Sequence, residues 1–385
     1  MRLFSSPSEV GAQTGDAAWL RAMLEFEGAF ALVLAEVGLA DTAAAEEIAV
    51  VCSVGDMESA GVGHDWDLDA LGAGTARDGT PVPALLAQLR PRLSERARTV
   101  LHRGATSQDV VDTAAMLVAK RALEPLLADL DAAGDAAAEL ADRHRADPAA
   151  GRTLLQQAAP IAFGLRAANW LAGLDDAALR LVAVRDERLA VQLGGAAANL
   201  AAFGEDGPAV VEALAARLDL PAPPVPWQAN RSRPVELAAA LGQAAGAAGK
   251  VGTDIVLLAQ TEVGEVAEAE PGSSSAMPHK RNPAAAVNAV AAARRTPGLV
   301  ATMLAAMPGE QERAAGAWQA ETETLAELLR VTGAALAAAR RSLEGLEVFP
   351  ARMRANLQVE GGLGASDAII DRALAAHRAR TGGSA

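Results

Sequence analysis

The stretch 107–146, "SQDVVDTAAMLVAKRALEPLLADLDAAGDAAAELADRHRA", decides the fold. Its apolar residues recur at helical spacing with charges on the opposite face, the pattern of one long amphipathic α-helix. The stretches 153–189, 233–270, 284–304 and 312–345 read the same way. A helix of roughly 35 residues runs about 50 Å, longer than a compact domain needs. Rods of that length pack side by side, so the pattern predicts an all-α protein built on a long-helix bundle. Gly242, Gly246 and Gly249 mark a seam where a helix of the same or another subunit approaches closely. The expected organisation is an N-terminal helical domain over 1–105, a central bundle over 106–345 and a truncated C-terminal segment over 346–385.

Composition points the same way. Hydrophobic residues make up 51% of the 385, aromatics only 3%, so the core is built from Ala, Leu and Val, and Ala is the strongest helix former. No apolar run has the character of a membrane span, and the N-terminus does not read as a signal peptide. The single cysteine, Cys52, fits a reducing compartment, so a cytoplasmic location is expected. A net charge of −14 repels nucleic acid and anionic membranes alike. It repels a polyanionic metabolite too, so a site for one must gather local cations. Histidines 64, 102, 144, 279 and 377 lack ligand spacing. "QLGGAAANLAAFG" (192–204) reads as helical and lacks the Lys-Ser/Thr of a phosphate loop. Neither a metal nor a cofactor is expected.

Polar segments interrupt the helical pattern at places where packing does not require them. In "HRGATSQDVVDTA" (102–114), Thr106 and Asp109 fit a capping box. The free N–H groups near Thr106, Ser107 and Gln108 then suit a carboxylate, or are plain capping. In "GRTLLQQAAP" (151–160), Arg152, Thr153 and Gln156 share one end of a helix and offer donors to a carboxylate, or are a solvated helix start. The most specific string is "EPGSSSAMPHKRNPAAA" (270–286): a Gly/Ser loop that passes through Met277 to Lys280 and Arg281. Asn282 and Pro283 read as N-cap and first residue of the next helix. A serine beside a cation, a helix start and loop amides can exchange a proton with carbon. A Ser/Gly linker is the bland alternative.

"SSAMPHKRNP" resembles the signature loop of the fumarase/aspartase/adenylosuccinate lyase superfamily. "GATSQDVVDTA", "GRTLLQQAAP", "QLGGAAANLAAFG", "PWQANRSRPVELAAALG", "LLAQTEVGEVAE", "QERAAGAWQAETETLAEL" and "PARMRANL" are similar, in that order, to the bacterial 3-carboxy-cis,cis-muconate cycloisomerases. The resemblance spans about residues 100 to 360. It implies a homotetramer whose central domains form a joint bundle, with each active site shared between subunits. It makes Ser274, six positions before Lys280, the proton-transferring residue, although Ser273 and Ser275 flank it. Lys280 and Asn282 match residues that bind the substrate carboxylate. Thr106 and Ser107 match the first signature region, Thr153 and Gln156 the second.

Leu154 is a departure, because fumarases and adenylosuccinate lyases tend to carry His or a polar residue there. Such a residue helps a hydroxide or amine depart; a carboxylate needs no such help, since its conjugate acid has a pKa near 4. The stretch "GTPVPALL" lacks the Arg-His-Asp segment of adenylosuccinate lyases. Relatives continue into a small helical C-terminal domain, which is expected here as a stub or as another chain's contribution. The implied reaction is lactonisation of a small polycarboxylate, with Lys280 and Asn282 stabilising the carbanion and Ser274 protonating it. Arg152, Arg231, Arg233 and the 106–108 helix start are expected to hold the remaining carboxylates. His102 supports the site or is a capped loop residue. Two alternatives stay open: a lyase releasing fumarate from an adenylosuccinate- or argininosuccinate-like substrate, and a catalytically silent helical scaffold.

Overall fold

The computed structural model describes residues 8–53, 66–277 and 279–382. An N-terminal group of helices, α1 (Val10–Gln13), α2 (Asp16–Glu36), α3 (Thr42–Cys52), α4 (Leu68–Asp78), α5 (Val82–Leu89) and α6 (Glu95–Arg98), leads into α7 (Ser107–Arg143). A hairpin of β1 (Pro148–Thr153) and β2 (Gln156–Ala162) follows, then α8 (Phe163–Glu187), α9 (Gly207–Leu218) and α10 (Ser232–Leu258). The chain continues through β3 (Val266–Ala267), α11 (Ala284–Ala293), α12 (Thr296–Ala306), α13 (Ala317–Leu343), β4 (Glu347–Val348), α14 (Pro350–Asn356) and α15 (Ser366–Thr381). The all-α, long-helix reading holds, with short antiparallel strand pairs added: β1 with β2 and β3 with β4.

The bundle is α7, α8, α10 and α13, with α11 and α12 laid along α10 and α13. Its interior is what composition dictates: Leu123, Leu126, Leu130, Ala133 and Ala137 of α7 are fully buried. A large aromatic anchor, Trp170, is also buried and donates its indole N–H to Asp254 at 2.7 Å. The α10 seam is intramolecular. A Cβ on Gly249 would meet Ala293 at 2.7 Å and one on Gly242 would meet Val300 at 2.9 Å, whereas Gly246 faces open space. The absence of side chains at 242 and 249 lets α11 and α12 lie directly on α10.

Several boundaries differ from the sequence reading. The stretch 284–304 breaks at Arg294–Arg295, where Thr296-Pro297 restarts the chain as α12, because proline cannot donate to the preceding turn. The 233–270 stretch leaves the helix at Leu258. The segment 192–204 is loop and turn rather than helix, and Ala198 and Leu200 sit at positive φ.

Candidate active site

Thr106 precedes the first turn of α7. The half of the capping box contributed by Asp109 is closed: its carboxylate accepts from Thr106 N at 2.9 Å. The same buried carboxylate accepts from Gly194 N and Gly195 N at 2.9 and 3.0 Å, and from the side-chain amides of Gln192 and Gln228 at 3.1 Å each. Burial pushes the Asp109 carboxyl up to about 6, against the pull of these donors toward the ionised form. Asp109 therefore welds the α7 start to the 194–195 loop. Arg313 adds a tie by donating to the Ala196 carbonyl at 3.1 Å. Thr106 and Ser107 are half-exposed beside this knot.

Gln108, Arg231, Arg233 and His102, all expected near substrate, are engaged with other groups of the protein. Gln108 is fully buried and donates to Gln228 O at 2.8 Å and Asp112 at 3.1 Å. Arg231 is 4% exposed, with its guanidinium locked between Asp112 (2.8 Å) and Glu321 (2.6 Å). It is held strongly cationic there: burial opposes the charge and the two carboxylates overcome it. Arg233 donates to the carbonyls of Arg188 at 3.0 Å and Glu187 at 3.3 Å, closing the C-terminus of α8. His102 lies with Nδ1 2.6 Å from buried Glu27 Oε1. Burial works against its charge, but Glu27 outweighs that and raises its pKa.

The second segment is not a helix end. Arg152, Thr153 and Gln156 lie on the β1–β2 hairpin, where Thr153 pairs with Gln156 across a two-residue turn. Both turn residues have left-handed backbones, Leu154 at φ 51° and Leu155 at φ 62°, the geometry of a primed hairpin turn. Leu154 is 97% exposed. Arg152 donates to both oxygens of fully buried Glu265, at 3.0 and 2.6 Å. That carboxylate also accepts from Asn356 Nδ2 at 2.9 Å. Thr153 and Gln156 are exposed.

The loop after β3 is closed at a neck: Gly272 N donates to Asn282 O at 2.8 Å and Asn282 N to Gly272 O at 3.2 Å. The Asn282 side chain also donates to Ser273 O at 3.2 Å. Within the loop, Ser274 Oγ accepts from Met277 N at 3.1 Å, and Ser274 is half-buried while Ser273 and Ser275 are exposed. Met277 and Lys280 are exposed, and Lys280 forms no ion pair among the described residues. Asn282 is not the N-cap. Helix α11 starts at Ala284 behind Pro283. Its first amides, Ala285 N and Ala286 N, donate at 3.1 and 2.8 Å to Glu268, a residue the sequence reading passed over. The acid-rich "EVAEAE" just before the loop was its only signal.

The hairpin and the loop share one end of the bundle: Glu265, which holds Arg152, and Glu268, which holds the loop exit, are three residues apart, within about 10 Å. Thr106 and Ser107 are at the far end of α7, whose 37 residues span about 55 Å. One chain therefore brings the hairpin and loop together and leaves the Thr106 segment remote.

Residues 12–298 match the sequence pattern of the lyase family. The chain is 43% identical to a 3-carboxy-cis,cis-muconate cycloisomerase of Bradyrhizobium diazoefficiens, over 94% of this chain and 80% of that protein. It is 41% identical to a nitrosuccinate lyase of Streptomyces davaonensis, over 92% of this chain and 75% of the other. Its fold superposes on the crystal structure of the 3-carboxy-cis,cis-muconate lactonizing enzyme from Pseudomonas putida with a TM-score of 0.85 and 36% identity, covering 99% of this chain and 89% of that one. With the signature loop closed at Gly272 and Asn282 and the likeness running through nearly the whole chain, the protein belongs to the lyase family that includes these enzymes.

Proposed function

We propose that the protein is a 3-carboxy-cis,cis-muconate cycloisomerase, acting as a cytoplasmic homotetramer. One carboxylate of the substrate attacks the β carbon of an unsaturated acid arm, forming the C–O bond of a lactone. The displaced π electrons pass to the α carbon and into its carboxylate, and a proton added to the α carbon completes an isomerisation with no net loss of atoms. Stabilising that second negative charge is the costliest step, so preorganised cations and amides placed there matter most. Lys280, Asn282 and the loop amides take that role, and Ser274 delivers the proton. Thr153, Gln156 and, from another copy, Thr106 and Ser107 hold the remaining carboxylates, with Arg152 anchoring the hairpin. Arg231, Arg233, Gln108 and His102 act only by holding this framework.

The observation that carries the reading is the loop itself: a neck-closed turn with a half-buried Ser274 and an exposed Lys280 that forms no ion pair among the described residues. The separation of Thr106 from this loop by a full helix length supports sites completed between copies. Loss of the substrate's ultraviolet diene absorbance on mixing with purified protein tests it, since ring closure consumes the conjugation. An unchanged spectrum with every substrate batch defeats it.

A second reading, elimination from a β-substituted succinate, is favoured by the 41% identity with the nitrosuccinate lyase. Release of fumarate from such substrates, without diene loss, selects it.

A further inference from the structure

We propose that Glu268 is the positioning residue of the signature loop, clamping its exit and cancelling the positive end of α11 so that Lys280 carries the charge presented to substrate. The proposal rests on the reading of the 272–282 loop as the catalytic segment. Glu268 is 4% exposed, so it does not meet substrate directly. Its Oε1 accepts from Ala286 N at 2.8 Å and from Ser342 Oγ of α13 at 2.6 Å, and its Oε2 accepts from Ala285 N at 3.1 Å. Its main-chain carbonyl accepts from Arg281 Nη2 at 3.2 Å, and Arg281 reaches on to Glu347 at 3.1 Å. One residue before the loop thus fixes both the last loop cation and the first turn after it, and Ser342 ties the clamp to the bundle.

The electrostatic consequence follows from magnitudes. A helix start carries roughly half a positive charge, and a full carboxylate seated on its amides reverses the local sign. The α11 terminus cannot then serve as an anion hole, contrary to what its place after the loop suggests. Stabilisation of the carbanion falls to the loop side of the neck, where Lys280 is exposed and unpaired by the described residues. Without Glu268, the α11 amides and Lys280 would compete for the same carboxylate, and substrate would bind displaced toward the helix.

The test is Glu268→Gln, which keeps size and one acceptor but removes the charge, measured beside Ser342→Ala and Ser274→Ala. Glu268→Gln is expected to lower kcat by about tenfold or more, the scale of a lost preorganised electrostatic contact. KM should be held or lowered, and the alkaline limb of the kcat–pH profile should move to lower pH because a nearby negative charge is gone. Ser342→Ala, which loosens one of the clamp's bonds, gives a smaller loss in the same direction. Glu268→Asp restores the limb without restoring full kcat. Unchanged kcat and an unmoved limb in Glu268→Gln, with Ser274→Ala inactive, overturn this proposal alone. Wild-type turnover by Ser274→Ala overturns the loop reading and this proposal with it. A Glu268→Gln variant that loses activity only in proportion to its unfolded fraction assigns the residue to stability and also overturns it.

Discussion

Arg231 shows how far a single side chain's chemistry depends on its surroundings. In sequence it looks like a ligand for anions; in the fold it is the cation between two buried carboxylates, Asp112 and Glu321, stacked 4.9 Å from the Trp227 ring centre. Removing it strands both acids, and an uncompensated buried charge costs about 3–5 kcal/mol. Arg231→Met should therefore lower the urea midpoint strongly while the folded fraction keeps its KM; a raised KM at unchanged stability would return Arg231 to the substrate. Ser274→Ala should do the opposite, lowering kcat by about a hundredfold or more, the scale of a lost proton transfer, with the melting temperature unaltered. Lys280→Met is expected to raise KM and lower kcat together, read from initial rates across substrate concentrations.

At the level of the element, the start of α7 carries a pH signature. Asp109 is pushed up to about 6, above its unfolded value, so the folded state holds a proton there that the unfolded chain has released. Stability contributed by that group is present at low pH and declines as pH rises from about 4 to about 6. His102 is raised as well, so the stability it gains beside Glu27 is complete below its unfolded value and vanishes as pH climbs past its folded one. The stability difference between wild type and His102→Gln should thus shrink with rising pH above about 6.5, measured by urea midpoints at a series of pH values. The hairpin supplies a contrast. Leucines in left-handed backbone are costly, so Leu154→Asn should hold or raise the melting temperature. It should lower kcat/KM by about tenfold if the apolar tip faces substrate, the scale of a pocket contact. These elements also mark what sequence could disclose. The long helices were legible because their apolar period repeats over many turns. The hairpin was not, because its turn is Leu-Leu rather than Asn-Gly and its strands are rich in Ala and Gln. The loop's position was legible from its string, whereas Glu268, Glu265 and the partners of Arg231 and Asp109 were not, since hydrogen bonds between residues 17 to 119 positions apart leave no local pattern.

Across the whole molecule, the placement of the polar segments makes a mixing experiment decisive. If sites are completed between copies, inactive Ser274→Ala and an inactive Thr106→Val, Ser107→Ala double variant should regain partial activity when unfolded and refolded together, because some mixed assemblies contain an undamaged set. Activity that stays at the level of the separate variants would place all these residues in one protomer. Helix α7 gives this arrangement a ruler. Each residue added to its middle advances one end by 1.5 Å and turns it by about 100° relative to the other. A two-residue insertion near Ala132 would leave the knot at Asp109 and the hairpin at Arg152 locally intact yet point them in incompatible directions, whereas a seven-residue insertion would nearly restore the heading at a longer span. Length variation among descendants of this gene should accordingly collect in the connections and be scarce in this rod.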